Sequence, residues 1–124
     1  MHYVIGDVHG HYDALMRLMA KLPDNATLLF VGDLIDRGSG SAEVVKFVRD
    51  NGHLCVIGNH ETMMLADGPS AVRAYETGRE LEQYNLWYSN GGIDTVCSYN
   101  IVDVVDGKLT KREECEEALQ RFKD

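Results

Sequence analysis

The sequence predicts an α/β fold: a parallel βαβαβ unit with additional helices C-terminal to it. Three observations carry that expectation. Three short apolar runs each end in glycine followed by a side chain with a carboxylate or amide oxygen: Tyr3-Val4-Ile5-Gly6-Asp7, Leu28-Leu29-Phe30-Val31-Gly32-Asp33 and Leu54-Cys55-Val56-Ile57-Gly58-Asn59. Their glycines stand at 6, 32 and 58, a step of 26 residues both times. The runs are unbroken, not alternating, which suits parallel strands buried on both faces. Between them, apolar residues recur at helical spacing.

Taken in order, the first run is followed by a helix from Tyr12 to Lys21, with Leu15, Leu18, Met19 and Leu22 along one side and Pro23 as its stop. After the second run, Ala42 to Asp50 carries Val44, Val45, Phe47 and Val48, and Asn51-Gly52 supplies a C-terminal cap. Crossovers of this kind are right-handed, and the ligand-binding edge of such a unit lies beyond the carboxyl ends of its strands. Past Asn59 the pattern turns helical. His60 to Ala66 reads as one helix broken by Gly68-Pro69, Ala71 to Thr77 as a second, and Glu80 to Tyr88 as a third, closed by Asn90-Gly91-Gly92. Between 93 and 106 two readings stand: Ile93, Val96 and Cys97 fit a short helix, and Ile101 to Val105 fits a strand. Thr110-Lys111-Arg112-Glu113 has the form of a capping box opening a last helix, whose stripe is Cys115, Ala118, Leu119 and Phe122. The expected organisation is a single domain over 1–124, with a motif-bearing core at 1–61 and a mainly helical remainder at 62–124.

Composition narrows the function classes. The 124 residues are 44% apolar and 26% charged, as in an ordinary globular domain. Twelve basic against twenty acidic side chains give a net charge of −8, which argues against a nucleic-acid partner, since that affinity rests on cations neutralising phosphates. No run approaches the ~20 apolar residues of a membrane span. Cys55, Cys97 and Cys115 are odd in number and form no CxxC, so they read as buried thiols in a reducing, cytoplasmic compartment.

The chemistry gathers at the three strand ends: Asp7-Val8-His9-Gly10, Asp33-Leu34-Ile35-Asp36-Arg37-Gly38 and Asn59-His60-Glu61. In extended backbone, side chains two apart point the same way, so Asp7 and His9 face one ion. Strands ~4.8 Å apart bring Asp33 and Asn59 to the same cavity. Carboxylate, amide and imidazole together suit Mn²⁺, Fe or Zn²⁺. Alone, each piece is ordinary: Asp-x-His is two polar residues in a turn, Asp36-Arg37 a surface ion pair, Asn59 a helix N-cap. Crowded at one edge, three carboxylates repel unless cations or Arg37 offset them, and a metal site is the better reading.

These segments resemble the GDxHG, GDxxDRG and GNHE signatures of the phosphoprotein-phosphatase branch of the calcineurin-like metallophosphatases, in the compact spacing of bacterial and bacteriophage serine/threonine phosphatases and of symmetric dinucleoside tetraphosphatases. The likeness is strong over residues 1–61 and weaker at Trp87 to Gly92, Trp-x-x-Asn-Gly-Gly. It implies a fold that is half of the family's β-sandwich. It implies that Asp7 and His9 hold a first metal, that Asp33 bridges to a second, and that Asn59 holds the second. It further implies that Arg37, with Asn59 beside it, binds substrate phosphate, and that His60, oriented by Asp36, protonates the leaving alcohol. Glu61 is expected to support, not react. The implied cofactors are two divalent ions, Mn²⁺ first among them. The implied substrates are phosphorylated proteins, with small phosphoesters or a dinucleoside tetraphosphate as the alternative.

The chain departs from the family in one respect. The family's site uses two further histidines and a second arginine from later strands, whereas no histidine follows His60. His2 and His53 begin their strands, ~13 Å from the ligand edge, and His11 starts a helix. The chain thus reads as the N-terminal half of a catalytic domain, holding three ligands for the first metal and two for the second, with impaired turnover. Its sheet is expected to need self-association or a complementary C-terminal half to cover it. An inactive module that binds metal or phosphate is the non-enzymatic alternative.

Overall fold

Three parallel strands, β1 (His2–Ile5), β2 (Thr27–Phe30) and β3 (Leu54–Cys55), lie in the order β1-β2-β3 in the computed structural model, which describes residues 1–77, 86–105, 108–111 and 116–123. The register pairs His2 with Thr27 through Ile5 with Phe30, then Leu29 with Leu54 and Phe30 with Cys55. Helices α1 (Tyr12–Met19) and α2 (Ser41–Asp50) make the two crossovers. The βαβαβ unit is therefore the architecture observed.

Alternation along β2 sets the layers. Leu28 and Phe30 point to one face and are fully enclosed, packed with Leu15 of α1, Val44 and Val48 of α2, and Val8, Leu34 and Ile35 of the strand-end loops. Leu29 points to the other face, in one cross-strand row with Val4 and Leu54, which are 71% and 55% exposed. Val56 and Ile57, just beyond β3, are exposed as well. The expectation of burial on both faces is thus met on one only, because both crossover helices feed the same core. Cys55, expected to be buried, is exposed on the edge strand, and Cys97 is half-buried.

The remainder differs from the sequence reading in two places, at Gly68-Pro69 and at Thr110. Helix α3 (Asn59–Thr77) runs through Gly68-Pro69 without stopping. Proline removes one backbone donor there, but the turns on either side keep theirs, and Gly68 leaves room for the ring of Phe122, 4.0 Å from where a Cβ would stand. Between 93 and 106 both readings hold in succession: α4 (Ile93–Ser98) is followed by β4 (Val102–Val105), with Asn100 left-handed at φ +61° between them. β4 pairs antiparallel with β5 (Lys108–Lys111), and Thr110 lies opposite Asp103, so Thr110 is a strand residue and not a helix cap. Arg112, Glu113 and Cys115 lie outside the described residues, as does the 80–85 part of the expected third helix. The final helix, α5 (Glu116–Lys123), brings Phe122 to a second core around Trp87, Val96 and Ile101.

Candidate metal centre

The loops that leave β1 and β2 are locked together by backbone hydrogen bonds. Val8 and His9 N–H donate to Asp33 O (3.1 and 2.9 Å), Gly10 N–H to Leu34 O (2.8 Å), and Gly38 N–H back to His9 O (2.8 Å). This lattice holds His9, Asp33, Asp36 and Arg37 at φ +46°, +51°, +75° and +77°, a left-handed region that non-glycine residues seldom occupy. The third loop closes against the second at Gly58, where a Cβ would fall 2.4 Å from Asp33 Oδ1.

Asp7, His9 and Asp33 meet here. Each offers one ligand atom, and the three lie within 4.8 Å of one another. His9 Nε2 is 3.7 Å from Asp7 Oδ2, while His9 Nδ1 donates to the Ile35 carbonyl at 2.9 Å. The carbonyl accepts only a protonated Nδ1, so the lone pair stays on Nε2, which faces the acids; ligating histidines are oriented in this way. Asp33 Oδ1 accepts from His60 N–H at 3.0 Å, at the first turn of α3. Glu61 braces the same point: its carboxylate accepts from Asp33 N–H (2.5 Å), Leu34 N–H (3.0 Å) and Gly58 N–H (3.0 Å). One side chain thus ties the second loop to the third.

Asn59 stands against Asp33. The nearer end of its carboxamide is 3.1 and 3.0 Å from the two Asp33 oxygens; an NH₂ there donates to both, whereas an oxygen there faces two acceptors, an arrangement that a shared cation relieves. Oxygen and imidazole donors at this separation fit a divalent metal ion.

Behind the cluster, His60 (3% exposed) pairs through Nδ1 with Asp36 Oδ2 at 2.8 Å, and Asp36 is wholly buried. The His60 ring meets His9 edge-on, centroids 4.5 Å apart. Arg37 is exposed at the rim, its backbone N–H donating to Gly91 O at 3.2 Å. All seven sequence-derived residues therefore border one edge of the sheet. Sequence reasoning gave no role to Thr95 or to Trp87, both of which reach Asp36. Trp87 could be singled out as the only tryptophan. Thr95 carried no signal, since its partner is 59 residues away. Nearby, burial and then the Asp36 charge raise the Asp94 carboxyl above its ordinary value. Burial, and next the charge of Glu61, raise the Cys55 thiol above its ordinary value.

Residues 3–123 match the profile of the calcineurin-like phosphoesterases. The chain is 38% identical over 93 residues to serine/threonine-protein phosphatase 2 of Salmonella typhimurium, covering 73% of this chain and 38% of that protein. It is 45% identical over 69 residues to the symmetrical bis(5'-nucleosyl)-tetraphosphatase of Salmonella paratyphi A, covering 52% of this chain and 24% of that protein. A solved structure provisionally described as a diadenosine tetraphosphatase aligns at 26% identity and TM-score 0.43, over 61% of this chain and 32% of that one. The chain thus spans between a quarter and two-fifths of the length of these curated relatives. No described helix is long and apolar enough to cross a membrane.

Proposed function

The chain belongs to the calcineurin-like phosphoesterase family, and on that premise we propose that it is a metal-dependent phosphoesterase acting on phosphomonoesters of serine and threonine. The observation that carries this is the convergence of Asp7, His9 Nε2 and Asp33, with the His9 tautomer fixed by Ile35. Asp7, His9 and Asp33 are the ligands of a first divalent ion, and Asp33 with Asn59 of a second; Mn²⁺ is the proposed ion, with Fe or Zn²⁺ as substitutes. Divalent ions in this cradle supply an activated water nucleophile and offset phosphate charge. The chain's own groups do the rest. Arg37 at the rim, with Asn59, takes phosphate oxygens with its fork of donors. His60 gives a proton from Nε2 to the departing alkoxide, and Asp36 keeps Nδ1 protonated and the ring aimed.

A second substrate reading, hydrolysis of symmetric dinucleoside tetraphosphates, draws equal support from the relative at 45% identity. An inactive metal- or phosphate-binding role is the third. The bare row of Val4, Leu29 and Leu54 supports self-association or a complementary C-terminal half over that face, and the cysteine usage supports a cytoplasmic setting. The test is calorimetric titration of the metal-free chain with Mn²⁺, followed by hydrolysis of a phosphoserine peptide and of diadenosine tetraphosphate. Saturable Mn²⁺ binding, lost in His9→Ala, is expected. An unchanged isotherm in that variant overturns the assignment, and release of phosphate from one substrate but not the other selects between them.

A further inference from the structure

The carboxylate of Asp36 is more heavily engaged than a partner for one histidine requires. Trp87 Nε1–H lies 2.9 and 3.0 Å from its two oxygens, and the Thr95 hydroxyl donates to Oδ1 at 2.6 Å. Asp36 N–H is shared between Thr95 Oγ1 (2.9 Å) and Ser41 Oγ (3.0 Å). The Thr95 proton is committed to the carboxylate, so the Ser41 hydroxyl, 3.2 Å away, is the one that donates to Thr95. Asp36, Ser41, Trp87 and Thr95 are all fully buried, and a carboxylate without water needs every lone pair filled.

The brace is itself held. Trp87 N–H donates to Asp67 Oδ2 at 3.1 Å, its ring stacks near Phe122 with centroids 6.1 Å apart, and a Cβ on Gly92 would fall 2.5 Å from the ring. Thr95 is fixed through α4: Ser98 Oγ donates to Thr95 O at 2.7 Å and accepts from Ala42 N–H at 3.0 Å. Oδ1 is thereby occupied, the carboxylate plane is set by the indole, and Oδ2 is left facing His60.

We propose that Trp87 and Thr95 are positioning residues: by fixing the plane of Asp36 and the oxygen it turns to His60, they hold His60 with Nδ1–H on that oxygen, so that Nε2 is the nitrogen that takes up a proton before substrate binds and gives it to the departing alkoxide. The inference rests on Asp36 and His60 forming an acid dyad, and it goes further by assigning what aims them. A merely structural role for the two side chains changes stability and leaves the tautomer alone.

The experiment reads the tautomer directly, by long-range nitrogen–proton correlation spectra of the full chain freed of divalent metal with a chelator. The parent is expected to show His60 solely as Nδ1–H, with the Trp87 indole proton protected from solvent exchange. Thr95→Val and Trp87→Phe are expected to give a mixture of tautomers, and Thr95→Ser, which keeps the hydroxyl, to restore the single form. A single Nδ1–H tautomer in folded Thr95→Val and Trp87→Phe overturns the proposal. So does a parent with His60 as Nε2–H or with a freely exchanging indole proton, a result that needs no variant to fold. No turnover enters the readout: an unaltered tautomer leaves the phosphoesterase reading standing, and a chain that hydrolyses nothing leaves the brace standing.

Discussion

Replacing Gly58 with alanine tests the metal centre at its tightest point. The added Cβ falls 2.4 Å from Asp33 Oδ1 and 2.6 Å from Asp33 N, about 1 Å short of ordinary contact. Gly58 does not have positive φ, so alanine meets no backbone penalty and the effect comes from the collision alone. The Asp33 backbone cannot retreat without loosening its 2.5 Å bond to Glu61 and the bonds its carbonyl accepts from Val8 and His9. The carboxylate must therefore swing out of the cradle. Overpacking of this kind costs about 1–3 kcal/mol of stability. Disturbed support of a ligand weakens metal affinity roughly 10–100-fold. The control is Gly6→Ala, where a Cβ meets nothing within 4 Å and φ is not positive. It should leave Mn²⁺ affinity unchanged and keep or slightly raise the melting temperature. Calorimetric Mn²⁺ titration and thermal unfolding, run on both variants and the parent, give the comparison. If Gly58→Ala binds Mn²⁺ within twofold of the parent, Asp33 is not held where the geometry puts it and the ligand assignment is wrong.

Other perturbations separate support from chemistry. Glu61→Gln should lower stability by about 1.5–3 kcal/mol, because an amide NH₂ turned toward Asp33, Leu34 and Gly58 N–H cannot accept from all three; a chemical denaturation midpoint equal to the parent's argues against the tie. Asp94 is held above its ordinary pKa, so its charged form is penalised in the folded state. That penalty is absent below the ordinary carboxyl value of 3.8 and complete above the raised folded pKa, so stability falls as pH climbs through that window. Asp94→Asn should then melt higher at pH 7, by no more than about 0.5 kcal/mol for so exposed a carboxyl, and match the parent in strong acid. Light scattering should find the parent heavier than a monomer at high concentration and Val4→Lys/Leu54→Lys shifted toward monomer; a parent that stays monomeric throughout contradicts the role given to that face.

The parts of this fold visible in the sequence are those written in short-range pattern. The 26-residue step among Gly6, Gly32 and Gly58 placed three strands and their ends, and the residues following the first two glycines pointed to the edge where Asp7, His9 and Asp33 converge. Burial was less legible. An unbroken apolar run records that both sides of a strand are apolar, not whether anything lies against Val4 or Leu54. Pro69 misled because a proline removes only its own backbone donor and Asn59–Thr77 stays helical across it, and Thr110 because a capping box and a strand accept the same residue types. Thr95 was invisible because its meaning lies wholly in a contact across the chain, where periodicity carries no information.

The left-handed loop residues bear on how this sequence can drift. Arg37 lies exposed at φ +77°, a conformation that disfavours an L-residue by about 1–2 kcal/mol and that glycine adopts freely. In this position the guanidinium opposes the conformational preference of its own backbone, a cost that the phosphate-binding role proposed above would explain. On that proposal, a copy of the gene relieved of phosphate binding has a downhill path at codon 37, where Arg37→Gly is expected to give a sturdier protein without the guanidinium.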